Sequence, residues 1–130
     1  MDEFIVVDTD ILVDVARGIN ETAEFLSSLK SGYQLYISII TEMELIVGCR
    51  NKSEIAKLDQ FLVEYEKIGL SEDIGTKSKD LISMYRLSHG LLIPDAIIAA
   101  SALINECRLF TKNRKDFQYI PNLNLIPFPT

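Results

Sequence analysis

Phe4-Ile5-Val6-Val7-Asp8-Thr9-Asp10-Ile11-Leu12-Val13 changes character at its midpoint. The first four residues form a continuous β-rich apolar run, the pattern of a strand buried on both faces. Asp8-Thr9-Asp10 interrupts it, and Ile11, Leu12, Val13, Val15 and Ala16 resume at helical spacing as far as Gly18. A buried strand passing through an acidic turn into a helix is the start of a crossover unit, and parallel strands need such crossovers.

The same alternation runs outward from there. Asn20 is placed to cap a helix reaching about Lys30, with Ala23, Phe25, Leu26 and Leu29 on one face and Gly32 past its end. Leu35-Tyr36-Ile37 predicts a second strand, and Glu42 to Val47 a helix stopped by Gly48. Asn51 caps an amphipathic helix carrying Ile55, Leu58, Phe61, Leu62 and Tyr65. Lys67-Ile68-Gly69-Leu70 predicts a short strand. A long helix then opens at Ser71 and ends at Gly90, with Glu72 and Asp73 favourably placed in its first turn. From Pro94 to Ile104 the chain is apolar nearly all round, which implies a buried central helix whose only charge is Asp95. Arg108-Leu109-Phe110-Thr111 and Asn124-Leu125-Ile126 complete the strands. The sum is an α/β fold with a parallel sheet of four or five strands.

The chain has 130 residues, enough for a single domain spanning 1–130, and its 48% hydrophobic and 25% charged content is that of a globular protein. No apolar run reaches the ~18 residues of a membrane span. Met1-Asp2-Glu3 lacks the basic flank of a secretory leader, so the expected location is cytoplasmic. Cys49 and Cys107 have neither the density of a disulfide scaffold nor the spacing of a zinc site, and read as buried small hydrophobes. A net charge of −6 argues against a general polyanion binder. Its distribution still leaves a local basic rim, because Lys112, Arg114 and Lys115 surround Asn113 and Arg50, Lys52 and Lys57 form a second basic stretch.

Asp8, Glu44, Asp95 and Asp116 each follow a predicted strand or open a helix beside one. Taken singly, each has an ordinary reading. Asp8 caps the helix at Ile11, Thr41-Glu42-Met43-Glu44 spells a capping box, Asp95 sits in a first turn, and Asp116 is a solvated loop acid. His89 beside Gly90 reads as a cation at a helix end. Taken together they share one edge, since open parallel sheets gather ligands outside the carboxyl ends of their strands. Carboxylates converging there repel one another unless a cation neutralises them, and hard oxygen donors without usable His or Cys suit Mg²⁺ or Mn²⁺. One or two such ions make hydrolysis at phosphorus the available chemistry.

Four segments, in order, resemble the signatures of PIN-domain nucleases, and most of all the VapC-type toxin ribonucleases. They are Val7-Asp8-Thr9-Asp10-Ile11-Leu12-Val13-Asp14, Ser38-Ile39-Ile40-Thr41-Glu42-Met43-Glu44-Leu45, Leu91-Leu92-Ile93-Pro94-Asp95-Ala96-Ile97-Ile98-Ala99-Ala100 and Thr111-Lys112-Asn113-Arg114-Lys115-Asp116-Phe117. The resemblance implies a PIN-like three-layer α/β/α domain and an Mg²⁺-dependent endoribonuclease. It also implies a homodimer neutralised by a cognate antitoxin. Carried over residue by residue, it makes Asp8 and Asp95 metal ligands with Glu44 completing the cluster. Asn113 or Asp116 fills the fourth acidic position. Thr9 and Thr111 would orient carboxylates or water, and Asp10 takes a polar position often held by Asn or Ser. Arg17, Lys112, Arg114 and Lys115 are the cations nearest the motifs for RNA phosphates, and Tyr33 and Tyr119 are aromatics available for base stacking.

Two other functions fit parts of the pattern. Asp8-Thr9-Asp10 after an apolar strand also opens haloacid-dehalogenase-like phosphatases, with Asp8 as nucleophile and Asp10 as acid/base. An acidic pocket also serves a non-catalytic binding module that docks a basic peptide.

Overall fold

In a computed structural model, residues 4–128 are described, so the reading of Met1-Asp2-Glu3 falls outside them. The elements in order are β1 (Phe4–Val7), α1 (Thr9–Ala16), α2 (Asn20–Lys30), β2 (Gln34–Ser38), α3 (Ile39–Val47) and α4 (Lys52–Phe61). There follow β3 (Glu66–Ile68), α5 (Glu72–His89), α6 (Ile93–Ile104), β4 (Arg108–Phe110), a 3₁₀ turn (Arg114–Asp116) and β5 (Leu125–Ile126). All strand pairs are parallel, in the order β3-β2-β1-β4-β5.

The central strands alternate their side chains between two cores, as the period of two requires. Val6 and Leu109 point to one side, where they pack with Ile74 and Leu81 of α5 and Ile98 and Ala102 of α6. Ile5, Val7, Leu35, Ile37 and Phe110 point to the other, against Ile11 and Leu12 of α1, Leu26 of α2 and Leu62 after α4. Helices therefore cover both faces, giving the three-layer α/β/α arrangement. Burial on both faces explains why β1 reads as unbroken apolar sequence. Helix α6 meets the sheet through alanines, at Ala96, Ala99, Ala100 and Ala102, which lets its backbone lie close to the strands.

Several local readings shift. Helix α2 begins at Asn20 itself, after Ile19, and has no side-chain cap. Helix α3 starts earlier than predicted, at Ile39, because Ser38 Oγ accepts the Ile40 N–H at 3.1 Å. Thr41 and Glu44 consequently lie inside the helix, and the capping box their sequence spells does not form. Tyr65 lies outside α4, buried beyond its end. The third strand is Glu66–Ile68 and not Lys67–Leu70, its register fixed by Tyr36 opposite Glu66. Cys49 and Cys107 are half-buried free thiols rather than core residues. The caps at Asn51, Ser71 and Gly90 stand as expected, Gly90 with a left-handed φ of 71°.

Strand order reverses between β1 and β4. Chain leaving β1 goes to β2 on one side, while the crossover through α5 and α6 delivers β4 to the other. Such a switch point opens a crevice at the carboxyl ends of the two strands, here immediately after Val7 and Phe110.

Candidate metal centre at the switch point

Asp8 occupies that crevice and is only 4% exposed. Its backbone N–H continues the ladder to the Phe110 carbonyl at 2.9 Å. One carboxylate oxygen accepts the Thr9 N–H at 2.8 Å, which caps α1, and the other accepts the Thr111 hydroxyl at 2.8 Å. Thr111 is itself fully buried and accepts the Asn113 N–H at 3.0 Å. The ends of β1 and β4 are thus tied together through a carboxylate.

Asp10 stands beside it, on the first turn of α1. Its Oδ2 accepts the Lys112 N–H at 3.1 Å, and its Oδ1 is buried with no hydrogen-bond partner. Burial, the charge of Asp10 and its direct contact push the Asp8 carboxyl up to about 8, against the opposing hydrogen bonds from Thr111 and Thr9. Burial raises Asp10 as well. A buried carboxyl group with a half-buried one beside it favours sharing a proton or binding a cation.

Across the crevice, Asp95 projects from the first turn of α6, next to Pro94. Burial, then the charges of Asp116, Glu44 and Asp10, push its carboxyl up to about 6. Glu44 arrives from α3, where its Oε1 takes a 2.7 Å hydrogen bond from the Thr9 hydroxyl. Thr9 Oγ1 also lies 2.9 Å from Thr41 Oγ1. Since Thr9 has one hydroxyl hydrogen and a carboxylate only accepts, Thr41 supplies the hydrogen of that second contact. Asp8, Thr9, Asp10, Asp14, Arg17, Glu44, Asp95 and Asn113 line one open pocket of about 360 Å³. Asp116 lies exposed on the 3₁₀ turn, near enough for its charge to act on Asp95 but not on the pocket wall. Asn113, not Asp116, fills the lining position on the β4 side.

The donor set is all hard oxygen, and the orphaned Asp10 Oδ1 is a buried acceptor in need of a partner. Both observations fit Mg²⁺ or Mn²⁺. Among the described residues no three acid, His or Cys side chains are gathered tightly enough to hold an ion by themselves. Part of the coordination would therefore fall to water, the ordinary habit of Mg²⁺. Asp8, Asp10 and Asp95 are the side chains that would hold the ion, with Glu44 behind them on Thr9.

The cations are arranged differently from the sequence expectation. Lys112 Nζ pairs with Asp14 Oδ2, which the Thr22 hydroxyl also reaches at 2.8 Å, and it lies 5.9 Å from the Phe128 ring centroid. That pairing holds the Asp14 carboxyl below its usual range. Lys112 thus fastens the loop after β4 to α1. Arg17 on the pocket rim and Arg114 and Lys115 on the 3₁₀ turn are exposed. Asp14 was given no role by the sequence, although its four-residue spacing from Asp10 sets both on one face of α1.

Residues 5–123 match the PIN domain family. Ribonuclease VapC19 of Mycobacterium tuberculosis is 34% identical over 119 residues, covering 90% of this chain and 94% of that protein. A toxin-antitoxin complex from Klebsiella pneumoniae contains a chain of 32% identity and TM-score 0.77, with 96% of this chain and 98% of that one covered. VapBC2 from Rickettsia felis, solved with a DNA fragment from its promoter, gives 29% identity and TM-score 0.79 over 95% and 97%.

Proposed function

The chain belongs to the PIN-domain family, and from that premise we propose that it is an Mg²⁺- or Mn²⁺-dependent endoribonuclease, the toxin of a toxin–antitoxin pair. The observation that carries the reading is buried Asp8 with half-buried Asp10 and its orphaned oxygen beside it, facing Asp95 across the switch point. Relatives named as VapC ribonucleases and structures of toxin–antitoxin complexes support it.

When bound, the metal would orient a water molecule and offset negative charge that develops on the phosphate. The chain's own groups set the stage. Thr111 and the Thr9 N–H fix both oxygens of Asp8, so this carboxylate meets its ligand in one orientation. Thr9 holds Glu44 facing the pocket, where it is placed to accept a proton from the attacking water. Arg17 at the rim supplies positive charge for an RNA phosphate next to the acids. Hydrolysis by water, and not by the ribose 2′-hydroxyl, leaves a 5′-phosphate on the downstream fragment.

Leu87 is fully exposed and Val47, Val63 and Met84 largely so, apolar side chains of the kind that a second copy or an antitoxin would cover. The phosphatase alternative finds less support. Asp8 has both oxygens engaged and is almost fully buried, a poor disposition for a phosphorylated nucleophile, and no lysine lines the pocket among the described residues.

The decisive experiment incubates the purified protein with structured RNAs, with and without EDTA, beside Asp8→Ala. Metal-dependent cleavage to 5′-phosphate ends, abolished in the variant, is expected. A 2′,3′-cyclic phosphate product, or equal cleavage by Asp8→Ala, would overturn the assignment.

A further inference from the structure

Three aromatic rings cluster where the two acid-bearing loops meet. The His89 ring lies flat on Tyr119, with centroids 4.0 Å apart and planes inclined by 14°, and the Tyr85 ring meets each at an angle, 5.9 Å and 5.1 Å away. Tyr85 and Tyr119 are partly buried against the α5–α6 core, whereas His89 is exposed. With one face of the imidazole on Tyr119, its other face is the one open to solvent.

Chain connectivity ties this stack to the acids on both sides. His89 ends α5, and after Gly90 the chain reaches Asp95 in the first turn of α6. Tyr119 follows Asp116 by a single turn, and burial first, then the charges of Asp116 and Asp95, hold its phenol above the ordinary range, so both acids lie within electrostatic reach. Arg114 and Lys115, exposed on the intervening 3₁₀ turn, offer positive charge to a phosphate chain. Flat aromatic surfaces beside backbone-binding cations are how proteins hold unpaired bases.

We propose that the solvent face of His89, backed by Tyr119, is a stacking platform for one unpaired nucleobase of a single-stranded RNA whose phosphate lies in the acidic pocket. The inference rests on the ribonuclease reading and adds a specificity-determining subsite to it. The platform has no hydrogen-bonding code, so it selects single-stranded over paired RNA more than one base over another. His89 acts here by its π surface. Its Nδ1 already sits 2.8 Å from Ser88 Oγ.

The test measures cleavage and binding separately. Steady-state cleavage of short single-stranded oligonucleotides with Mg²⁺ is compared for the wild-type protein, His89→Ala and His89→Phe. Fluorescence anisotropy of the same oligonucleotides is measured in an Asp8→Asn background. His89→Ala is expected to raise KM and weaken binding by about tenfold, while His89→Phe stays within about threefold of the wild type. A single abasic nucleotide at the platform position should erase the difference between wild type and His89→Ala. Unchanged KM and binding in His89→Ala, or a His89→Phe variant as weak as His89→Ala, would overturn the platform while leaving the nuclease intact. RNA binding without cleavage by the wild-type protein would remove the nuclease reading and still judge the platform through His89→Ala. Neither binding nor cleavage would remove both.

Discussion

Thr111 Oγ1 donates a 2.8 Å hydrogen bond to Asp8 Oδ2 between residues 103 positions apart, joining the ends of the two strands at the sheet's reversal. The hydroxyl favours the ionised form of a carboxyl group that burial and Asp10 otherwise keep protonated. Thr111→Val preserves shape and removes that donor. Metal affinity is expected to fall about tenfold, the lower end for such supporting contacts. The acid limb of the pH–rate profile should move to higher pH. Titration with Mn²⁺ and kcat/KM against pH read the two effects, and an unmoved profile would contradict the role given to Thr111.

Asp8→Asn is expected to stabilise the metal-free protein. The Asp8 carboxyl titrates at about 8 in the folded chain, above its unfolded value of 3.8. Ionisation is therefore costly only in the fold, and the stability of the wild type falls as pH rises between about 4 and 8. Relieving a buried group of this kind is worth ~1–3 kcal/mol. Thermal melts in EDTA should show the variant's advantage growing from pH 5 to pH 8, and a variant less stable than wild type at pH 8 would refute the cost.

A metal ion held by Asp8 and Asp95 would compete with protons for the same oxygens. With Asp95 at about 6 and Asp8 at about 8, Mn²⁺ binding must expel protons throughout this range. Calorimetry is expected to show affinity rising by at least tenfold from pH 6 to pH 8. In two buffers of different ionisation enthalpy it should also show proton release. Affinity independent of pH would mean the ion binds elsewhere.

Lys112→Met keeps the aliphatic stem near Phe128 and leaves Asp14 with only Thr22. Removing one partner from this pair, buried only on the Asp14 side, costs ~1–2 kcal/mol, reduced from the fully buried range because the lysine side chain is 37% exposed. Urea denaturation measures the loss. The sign with pH follows from the lowered Asp14 carboxyl. The wild-type advantage is full above about 4 and fades as acid protonates Asp14. Because the pair fastens the loop carrying Asn113, cleavage should weaken while RNA binding at Arg17 persists.

Much of this was legible in the chain because helices and buried strands announce themselves by period. Asp8 and Asp95 are readable as a pair because both interrupt apolar sequence and fall at one sheet edge, although each also has a local reading as a helix-start acid. Glu44 was harder, because Thr41-Glu42-Met43-Glu44 has the same spelling as a helix start. Only the actual cap at Ser38 frees the glutamate to face the pocket. Asp10 reads from the sequence as a residue behind the metal ligands, and its orphaned oxygen is a matter of burial that no spacing encodes. Lys112 illustrates the same limit: three neighbouring cations look alike in sequence, and only the approach of α1 to the loop after β4 gives one of them a carboxylate. The stacking of His89 on Tyr119 joins residues from two distant segments and has no periodic signal at all.

The placement of β4 beside β1 has a temporal corollary. During synthesis the strand bearing Asp8 has its second neighbour only after the chain has run through β2, β3 and both helices of the long crossover. A truncated product ending before Phe110 contains every acid that lines the pocket, Asp8, Asp10, Asp14, Glu44 and Asp95, but neither the Thr111 tether nor the sheet edge that frames them. An incomplete polypeptide would thus carry its acids unassembled, and the pocket would close only once the segment from Arg108 onward has been made.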